Sequence, residues 1–325
     1  MIVRMLKVLA AAAVLAAGFS APASAQQKVT LRLDWVNSGY HAIWYYGIDK
    51  GLFKAEGIDL EVLEGRGSAS TAQTVGNNSV MFGTSDSGSV MGQVALGLPI
   101  KIVSGYLRQN PMAIIFPKAN GWSKFSDMAG ARIGFSPGSA SAQYLAAILK
   151  ANGLDGKVQL VNLEGAAKPA AMLEKRVNAI ESFDFLQVPL FEANGLEVST
   201  IPYATAGMNA PGLSLITHND TLKQNPALVK KMVDLMHKSI DAARKDQAGA
   251  IDSLLKRSPT LNRAVVSRVL ALSFNLLDPE WARGKQAGWL SPEVIEKTQD
   301  AFMGFGVIKT KQPIGTYFTN EFVGG

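Results

Sequence analysis

The feature that most constrains the fold is a strand-then-helix pattern that runs along the first hundred residues. Alternating or continuous short apolar runs predict four strands, at 29–33, 58–62, 80–83 and 100–103. Helical spacing lies between them and predicts helices at 42–50, 68–76 and 87–96. Strands that alternate with helices pair mostly in parallel, so this part predicts a mainly parallel sheet covered by helices.

The same pattern then starts again. Further strands are predicted at 112–117, 132–135, 158–161, 179–183 and 213–217, and helices near 140–151, 166–176 and 185–194. From Asn219 onward the chain becomes almost purely helical, with a long amphipathic helix that opens at Pro226. We therefore expect an α/β protein of two lobes, with mainly parallel sheets flanked by helices. Two crossover segments, 112–117 and 203–217, would join residues 26–115 plus 206–325 (lobe 1) to residues 116–205 (lobe 2).

The N-terminus predicts export. Arg4 and Lys7 precede an apolar stretch at 6–19, which is shorter than the roughly 20 residues of a membrane-spanning helix. A polar segment of small residues follows at 20–25, and its Ala23-Ser24-Ala25 fits the cleavage pattern of a signal peptide. We expect residues 1–25 to be removed near Ala25 and the mature protein to reside in the periplasm.

Composition excludes several kinds of chemistry. The chain has no cysteine, which rules out disulfides, thiolate zinc sites and a cysteine nucleophile. Its three histidines lack metal-ligand spacing, and no dinucleotide or phosphate-loop motif is present, so neither a metal nor a cofactor is expected. The formal charge of +6 is spread along the chain without a basic stripe, so nucleic acid is not an expected partner.

Ligands of open parallel sheets bind beyond the carboxyl ends of the strands, where the next helices begin. The loops at those strand ends nominate the ligand-binding residues. They are Trp35, Asn37, Tyr40, His41, Glu64, Gly67, Ser68, Asp86, Ser136, Ser139, Glu164 and Asp184.

The residue types suggest what each loop would contact. Trp35 and Tyr40 would stack on a flat ring, or simply pack at the lobe edge. Asn37 would cap a helix or donate to a ligand, while Ser68 and Ser139 begin helices and would bind an oxygen or act only as N-caps. As a set, the carboxylates near the strand ends favour a ligand with N–H donors over a bare dianion: Asp34, Glu64, Asp86, Glu164, Glu181 and Asp184.

Two further patterns contain residue types that are found at active sites. Gly134-x-Ser136-x-Gly138 matches the nucleophile turn of serine hydrolases. That turn uses the N–H after the serine as an oxyanion donor, and Pro137 has none, so hydrolysis is not expected. His237 lies at helical spacing from Asp234 and Asp241, which predicts a surface salt-bridge cluster.

Several motifs together resemble the THI5/NMT1-like and SsuA-like branch of type II periplasmic binding proteins. They are Leu33-Asp34-Trp35 with Asn37 and His41, KGLFKAEGIDL at 50–60, Phe82-Gly83 with Asp86, GLPI at 97–100, AGARIG at 129–134, Asn225-Pro226 and LSPE at 290–293. The KGLFKAEGIDL stretch is the most specific, and the similarity covers essentially the whole mature chain.

The resemblance implies a monomeric carrier that captures a small organic molecule for an inner-membrane ABC permease. Members are similar to carriers of thiamine pyrimidine precursors, riboflavin-like compounds and alkanesulfonates, and the Asp-Trp opening looks most like the pyrimidine-precursor carriers. It carries Trp35 and Asn37 over to their binding loop, and Glu64 and Gly67-Ser68 more loosely. One branch consists of pyrimidine synthases that react through their own Lys and His, but Ser85 and Ser89 hold those positions here and the branch's cysteine cluster is absent. An enzyme is therefore not expected.

Overall fold

The computed structural model describes residues 26–324, so the predicted signal peptide at 1–25 lies outside the described residues. The strands are β1 (Gln27–Arg32), β2 (Ile58–Leu63), β3 (Phe82–Asp86), β4 (Ile100–Gly105), β5 (Met112–Pro117), β6 (Arg132–Phe135), β7 (Gln159–Asn162), β8 (Ala179–Phe183), β9 (Val198–Pro202) and β10 (Leu213–His218).

The helices of the described chain fall into two groups. Those that follow the strands are α1 (Ala42–Asp49), α2 (Leu52–Ala55), α3 (Ser68–Gly76), α4 (Ser87–Ala95), α5 (Ala140–Ala151), α6 (Lys168–Leu173) and α7 (Asp184–Ala193). Those of the helical C-terminal part are α8 (Asn219–Gln224), α9 (Pro226–Lys245), α10 (Gln247–Arg257), α11 (Arg263–Ser273) and α12 (Pro292–Gly304).

Two five-stranded sheets form the two lobes, and they have the same plan. The first sheet has the order β2-β1-β3-β10-β4 and the second has the order β7-β6-β8-β5-β9. In each, three parallel strands are followed by an antiparallel strand that arrives from the other half of the chain. The predicted two-lobe α/β fold is confirmed, although each sheet is mixed because the arriving strand runs in the opposite direction.

Three details differ from the prediction. Strand β3 begins at Phe82 and continues to Asp86, so residues expected in a loop are paired with β10. Strand β9 was not predicted, because its half-buried residues lack a clear apolar alternation. Segment 112–117 is not a crossover: all six residues of β5 pair within the second sheet, so the chain crosses between sheets at 106–111 and returns at 203–212. The lobe limits at 115/116 and 205/206 stay a prediction.

Arg108 ties the first crossing segment to the C-terminal part of the chain. Its guanidinium is buried and donates to the carbonyl oxygens of Leu277, Gln286 and Trp289 at 2.6, 3.2 and 3.1 Å, and to the carboxylate of Asp278. Because a buried guanidinium needs acceptors for its five donors, this contact fixes the crossing segment against segment 277–289.

The helical C-terminal part packs mainly on the first lobe. The predicted apolar face of α9, from Leu228 to Ile240, is buried, and α9 and α10 both pack against α1. His237 on α9 does not join a surface salt-bridge cluster, so that expectation was wrong: its Nε2 lies 2.9 Å from Ser104 Oγ, and burial lowers its pKa to about 4. Among residues 26–324, no helix combines the length and the hydropathy needed to cross a bilayer.

Candidate ligand-binding site

A small pocket lies between the two lobes, at the carboxyl ends of their parallel strands. The first lobe contributes Asp34, Trp35, Tyr40 and Ser68, and the second contributes Ser139, Ala140, Ser141, Lys168, Ser182, Phe183 and Leu186. The free space between these atoms is about 330 Å³ even with the open mouth included. The lobes are therefore close together in this structure, and little enclosed space remains between them.

Asp34 forms the polar centre of the first wall. Only 2% of its surface is exposed, and Tyr40 Oη donates to its Oδ2 at 2.8 Å. Thr84 Oγ1 accepts the Asp34 backbone N–H and donates to Oδ1, both at 2.9 Å. His41 Nε2 lies 3.3 Å from the same Oδ1. Burial, followed by the charge of Asp34, raises the pKa of Tyr40 well above its ordinary value, so Tyr40 remains a donor.

The second wall contains a buried ion pair. Lys168 Nζ lies 2.7 Å from Glu181 Oε1 and also donates to the Glu181 carbonyl oxygen at 2.8 Å. Glu181 further accepts from the Ser136 backbone N–H at 2.9 Å, from Ser139 Oγ at 3.0 Å and from Ser141 Oγ. Both charged groups are at most 1% exposed, so this wall is electrically balanced by the protein itself.

Trp35 reaches across the pocket to the second lobe. Gly165 begins a short 3-10 turn of the second lobe, and a Cβ there would overlap the Trp35 indole. The close packing of Trp35 on this turn therefore requires glycine at position 165. Lys168 Nζ lies 5.6 Å from the centroid of the Trp35 ring, within the range of a cation–π contact. Trp35 is therefore both a pocket wall and a contact between lobes.

Gly67 marks the closest backbone approach between the lobes. Its φ of +134° is unfavourable for other residues, and a Cβ there would overlap the carbonyl oxygen of Gly138 in the second lobe. The same carbonyl accepts the N–H of Ala69 at 3.3 Å. The closed arrangement therefore depends on a side chain being absent at position 67.

Asp86 lies beside the pocket rather than in its lining. Its Oδ1 caps α4 by accepting the Ser89 N–H at 2.7 Å and also accepts Tyr144 Oη from the second lobe at 3.3 Å. Its Oδ2 is buried without a hydrogen-bond partner, and its backbone N–H donates to Ser68 Oγ at 3.0 Å. Burial raises the pKa of Asp86 to about 7.

Of the predicted ligand-binding residues, Trp35, Tyr40, Ser68 and Ser139 line the pocket. His41, Gly67, Asp86 and Ser136 stand behind it or at the contact between lobes, as described above. The other four lie outside the lining: Asn37, Glu64, Glu164 and Asp184.

Each of these four residues has another role. Asn37 Nδ2 donates to Ser258 Oγ at 2.9 Å and its Oδ1 accepts Tyr45 Oη at 2.6 Å, so its amide is already used. Glu64 is exposed and accepts the Asn37 N–H at 3.0 Å, and Glu164 is exposed at the start of a short 3-10 turn. Asp184 Oδ1 accepts the N–H of Phe185 at the start of α7. A ligand contact at these positions stays a prediction that this closed pocket does not favour.

Sequence reasoning missed Lys168, Ser141 and Leu186, which lie two to four residues beyond the nominated strand-end loops. Lys168 follows the loop after β7, where the sequence drew attention to Glu164 instead. The available signal was a lysine immediately before Pro169, at the first turn of the helix that follows β7.

Two α/β lobes joined by two crossing segments, with a pocket between them, define the periplasmic binding protein fold. A family model described as NMT1/THI5 like matches residues 38–250, well over half of the chain. The chain belongs to this NMT1/THI5-like family.

Known relatives of the chain carry two kinds of function. It is 26% identical to the riboflavin-binding protein RibY of Chloroflexus aurantiacus, over 92% of this chain and 87% of that protein. It is 23% identical to the 4-amino-5-hydroxymethyl-2-methylpyrimidine phosphate synthase THI5 of Saccharomyces cerevisiae, over 72% of each chain. The family membership alone therefore does not separate carriers from synthases.

Two of the solved structures that share the fold are sulfonate-binding proteins. The alkanesulfonate-binding protein SsuA of Xanthomonas axonopodis pv. citri, bound to MOPS, has a TM-score of 0.67 at 17% identity and covers 90% of this chain and 98% of its own. The aliphatic sulphonate binding protein SsuA of Escherichia coli has a TM-score of 0.66 at 16% identity, with 89% and 91% covered. At these identities the likeness concerns the fold.

Proposed function

We propose that this protein is the solute-binding component of an ABC importer. It captures a small nitrogenous heteroaromatic molecule, similar in kind to a thiamine pyrimidine precursor, and passes it unaltered to an inner-membrane permease. The observation that best supports this proposal is the pocket between the lobes, whose walls come from both lobes. A molecule held by both walls stabilises the closed arrangement over the open one, which is how hinge-type closure is coupled to binding.

The lining supports a flat, polar ligand. Trp35, Tyr40 and Phe183 supply aromatic faces, and the hydroxyl groups of Ser68 and Ser182 lie in the same lining. An aromatic wall with a few placed polar groups is typical of sites for small organic molecules. An alkanesulfonate is the alternative cargo, because the SsuA proteins share the fold.

Catalysis is not part of the proposal, although relatives include synthases. Ser85 Oγ donates to the Ser68 carbonyl oxygen at 3.0 Å, and Ser89 Oγ donates to Asp86 at 3.1 Å. These are the two positions where the resemblance puts the reacting Lys and His of the synthase branch. Hydroxyl groups engaged in this way do not replace an amine and an imidazole in that chemistry, so the solute leaves as it entered.

The periplasm is the proposed location, after cleavage near Ala25. Cell fractionation followed by N-terminal sequencing of the mature protein tests this. A periplasmic protein that begins near Gln26 agrees with the proposal, and a cytoplasmic protein that still begins at Met1 contradicts it.

Native mass spectrometry tests the carrier function. Purified protein is mixed with pyrimidines, flavins, sulfonates and aromatic acids, and the bound solute is released and weighed. A one-to-one complex that returns a solute of unchanged mass supports a carrier. A solute that is converted by the protein contradicts it.

A further inference from the structure

We infer that Asp34 selects a ligand that carries a positively charged nitrogen group at the edge of its ring, and that the pocket rejects anions. This deepens the proposed function and rests on it. The inference starts from the charges of the two walls, because a charge buried away from water needs an opposite charge or several donors.

The hydrogen bonds of His41 fix its role beside Asp34. The Ser38 backbone N–H donates to His41 Nδ1 at 3.2 Å, so Nδ1 is an acceptor and carries no proton. The neutral ring then has its proton on Nε2, the atom that faces Asp34 Oδ1. His41 therefore donates a hydrogen bond to the carboxylate without offsetting its charge.

The other partners of Asp34 are also uncharged donors. Thr84 Oγ1 accepts the Asp34 N–H, which leaves its own hydrogen for Oδ1, and Tyr40 donates to Oδ2. Within residues 26–324, no lysine or arginine forms an ion pair with Asp34. Three donors use three of roughly four acceptor positions of a carboxylate, so one position remains for a ligand.

The charge of Asp34 also acts on neighbouring groups. The charge of Asp34 contributes to raising the pKa values of Tyr40, Tyr106 and Asp86, after burial in each case. On the opposite wall the charge of Lys168 is taken up by Glu181 at 2.7 Å. Taken with Glu181, the side chains that line the pocket thus carry one net negative charge, and it lies on Asp34.

A ligand that closes the lobes removes the remaining water from Asp34. A cationic nitrogen group compensates the carboxylate, whereas a sulfonate or carboxylate would add a second buried negative charge near it. The flat part of the ligand would then lie against Trp35, which shares this wall with Asp34.

Titration calorimetry at pH 7 with three probes tests the inference. The probes are 4-amino-5-(aminomethyl)-2-methylpyrimidine as the cation, riboflavin as the neutral ring and benzenesulfonate as the anion. We expect the cation to bind most tightly, and Asp34→Asn to weaken its binding about 30-fold or more, since removing one partner of a buried charge pair has effects of this size. Asp59→Asn removes the same charge from an exposed position on β2 and is expected to change nothing.

Each other outcome overturns the inference. Tighter binding of benzenesulfonate or riboflavin, binding of none of the probes, or equal binding of the cation by wild type and Asp34→Asn all contradict it. The order of the wild-type affinities for the three probes tests the inference even if the Asp34→Asn protein does not fold. A probe that binds but is chemically converted contradicts the carrier function instead.

Discussion

Replacing Lys168 with methionine should strongly destabilise the second lobe. The variant keeps the length of the side chain but leaves Glu181, which is fully buried, without its cation. Breaking a buried ion pair by removing one partner costs about 3–5 kcal/mol. We expect a loss of this size in the free energy of unfolding, measured by urea denaturation of the ligand-free protein with circular dichroism. The exposed pair Lys297–Glu293 offers a control, because Lys297→Met should cost about 0.5 kcal/mol or less.

A double variant separates the ion pair from simple packing. Glu181→Gln alone leaves Lys168 buried and unpaired, so it should also destabilise the protein. Lys168→Met combined with Glu181→Gln removes both charges and should cost clearly less than the two single losses together. If the free energy of unfolding of Lys168→Met lies within about 0.5 kcal/mol of the wild-type value, the buried pair does not stabilise this wall. The same conclusion follows if the losses of the two single variants simply add in the double variant.

Three further perturbations test the site. Burial raises the pKa of Asp86 from 3.8 to about 7, so the folded protein holds a proton that the unfolded chain has released. The free energy of unfolding, measured by urea denaturation, should therefore fall as pH rises from about 4 to about 7. Asp86→Asn should reduce this dependence on pH. The same dependence in the variant would show that Asp86 does not cause it. Gly67→Ala should obstruct closure of the lobes and weaken binding of the tightest probe at least about tenfold in calorimetry. Gly138→Ala, whose Cβ would contact no other atom, should weaken binding less. Equal effects of the two substitutions would show that a side chain at position 67 does not obstruct closure. Trp35→Ala should make the binding free energy of a ring ligand less favourable by more than the roughly 0.5–1.5 kcal/mol of stacking. Its circular dichroism spectrum should stay unchanged. An unchanged affinity would contradict stacking of the ligand on Trp35.

Local patterns were sufficient to predict most elements of the fold. Helices α3, α4 and α5 lie within a residue of their predicted limits, because each ends near a glycine or asparagine, and Asp86 and Ser139 cap the starts of α4 and α5. Strand β9 was missed because its residues are only partly buried on both faces and show no clear period. The place where the chain crosses between sheets depends on the pairing of β5 with β8 and β9, which no local pattern reveals.

The candidate site was predicted less well, for a physical reason. The rule that ligands bind at strand ends identified the loops of Trp35, Ser68 and Ser139, which do line the pocket. The rule does not tell which side chain of a loop turns inward. Asn37 turns away to bind Ser258, which is more than two hundred residues distant in sequence, and Lys168 turns inward to pair with Glu181. Such choices are made by tertiary contacts.

Closure of the two lobes on a bound solute is the central claim. Because the chain has no cysteine, a spin label can be attached specifically to Arg66→Cys and Ala166→Cys, two exposed positions on facing loops of the two lobes. Double electron–electron resonance then measures the distance between the labels with and without saturating amounts of the tightest probe. We predict a shorter and narrower distance distribution with the probe bound. An identical distribution in both samples, with the probe shown to be bound, would contradict a clamp that closes on its cargo.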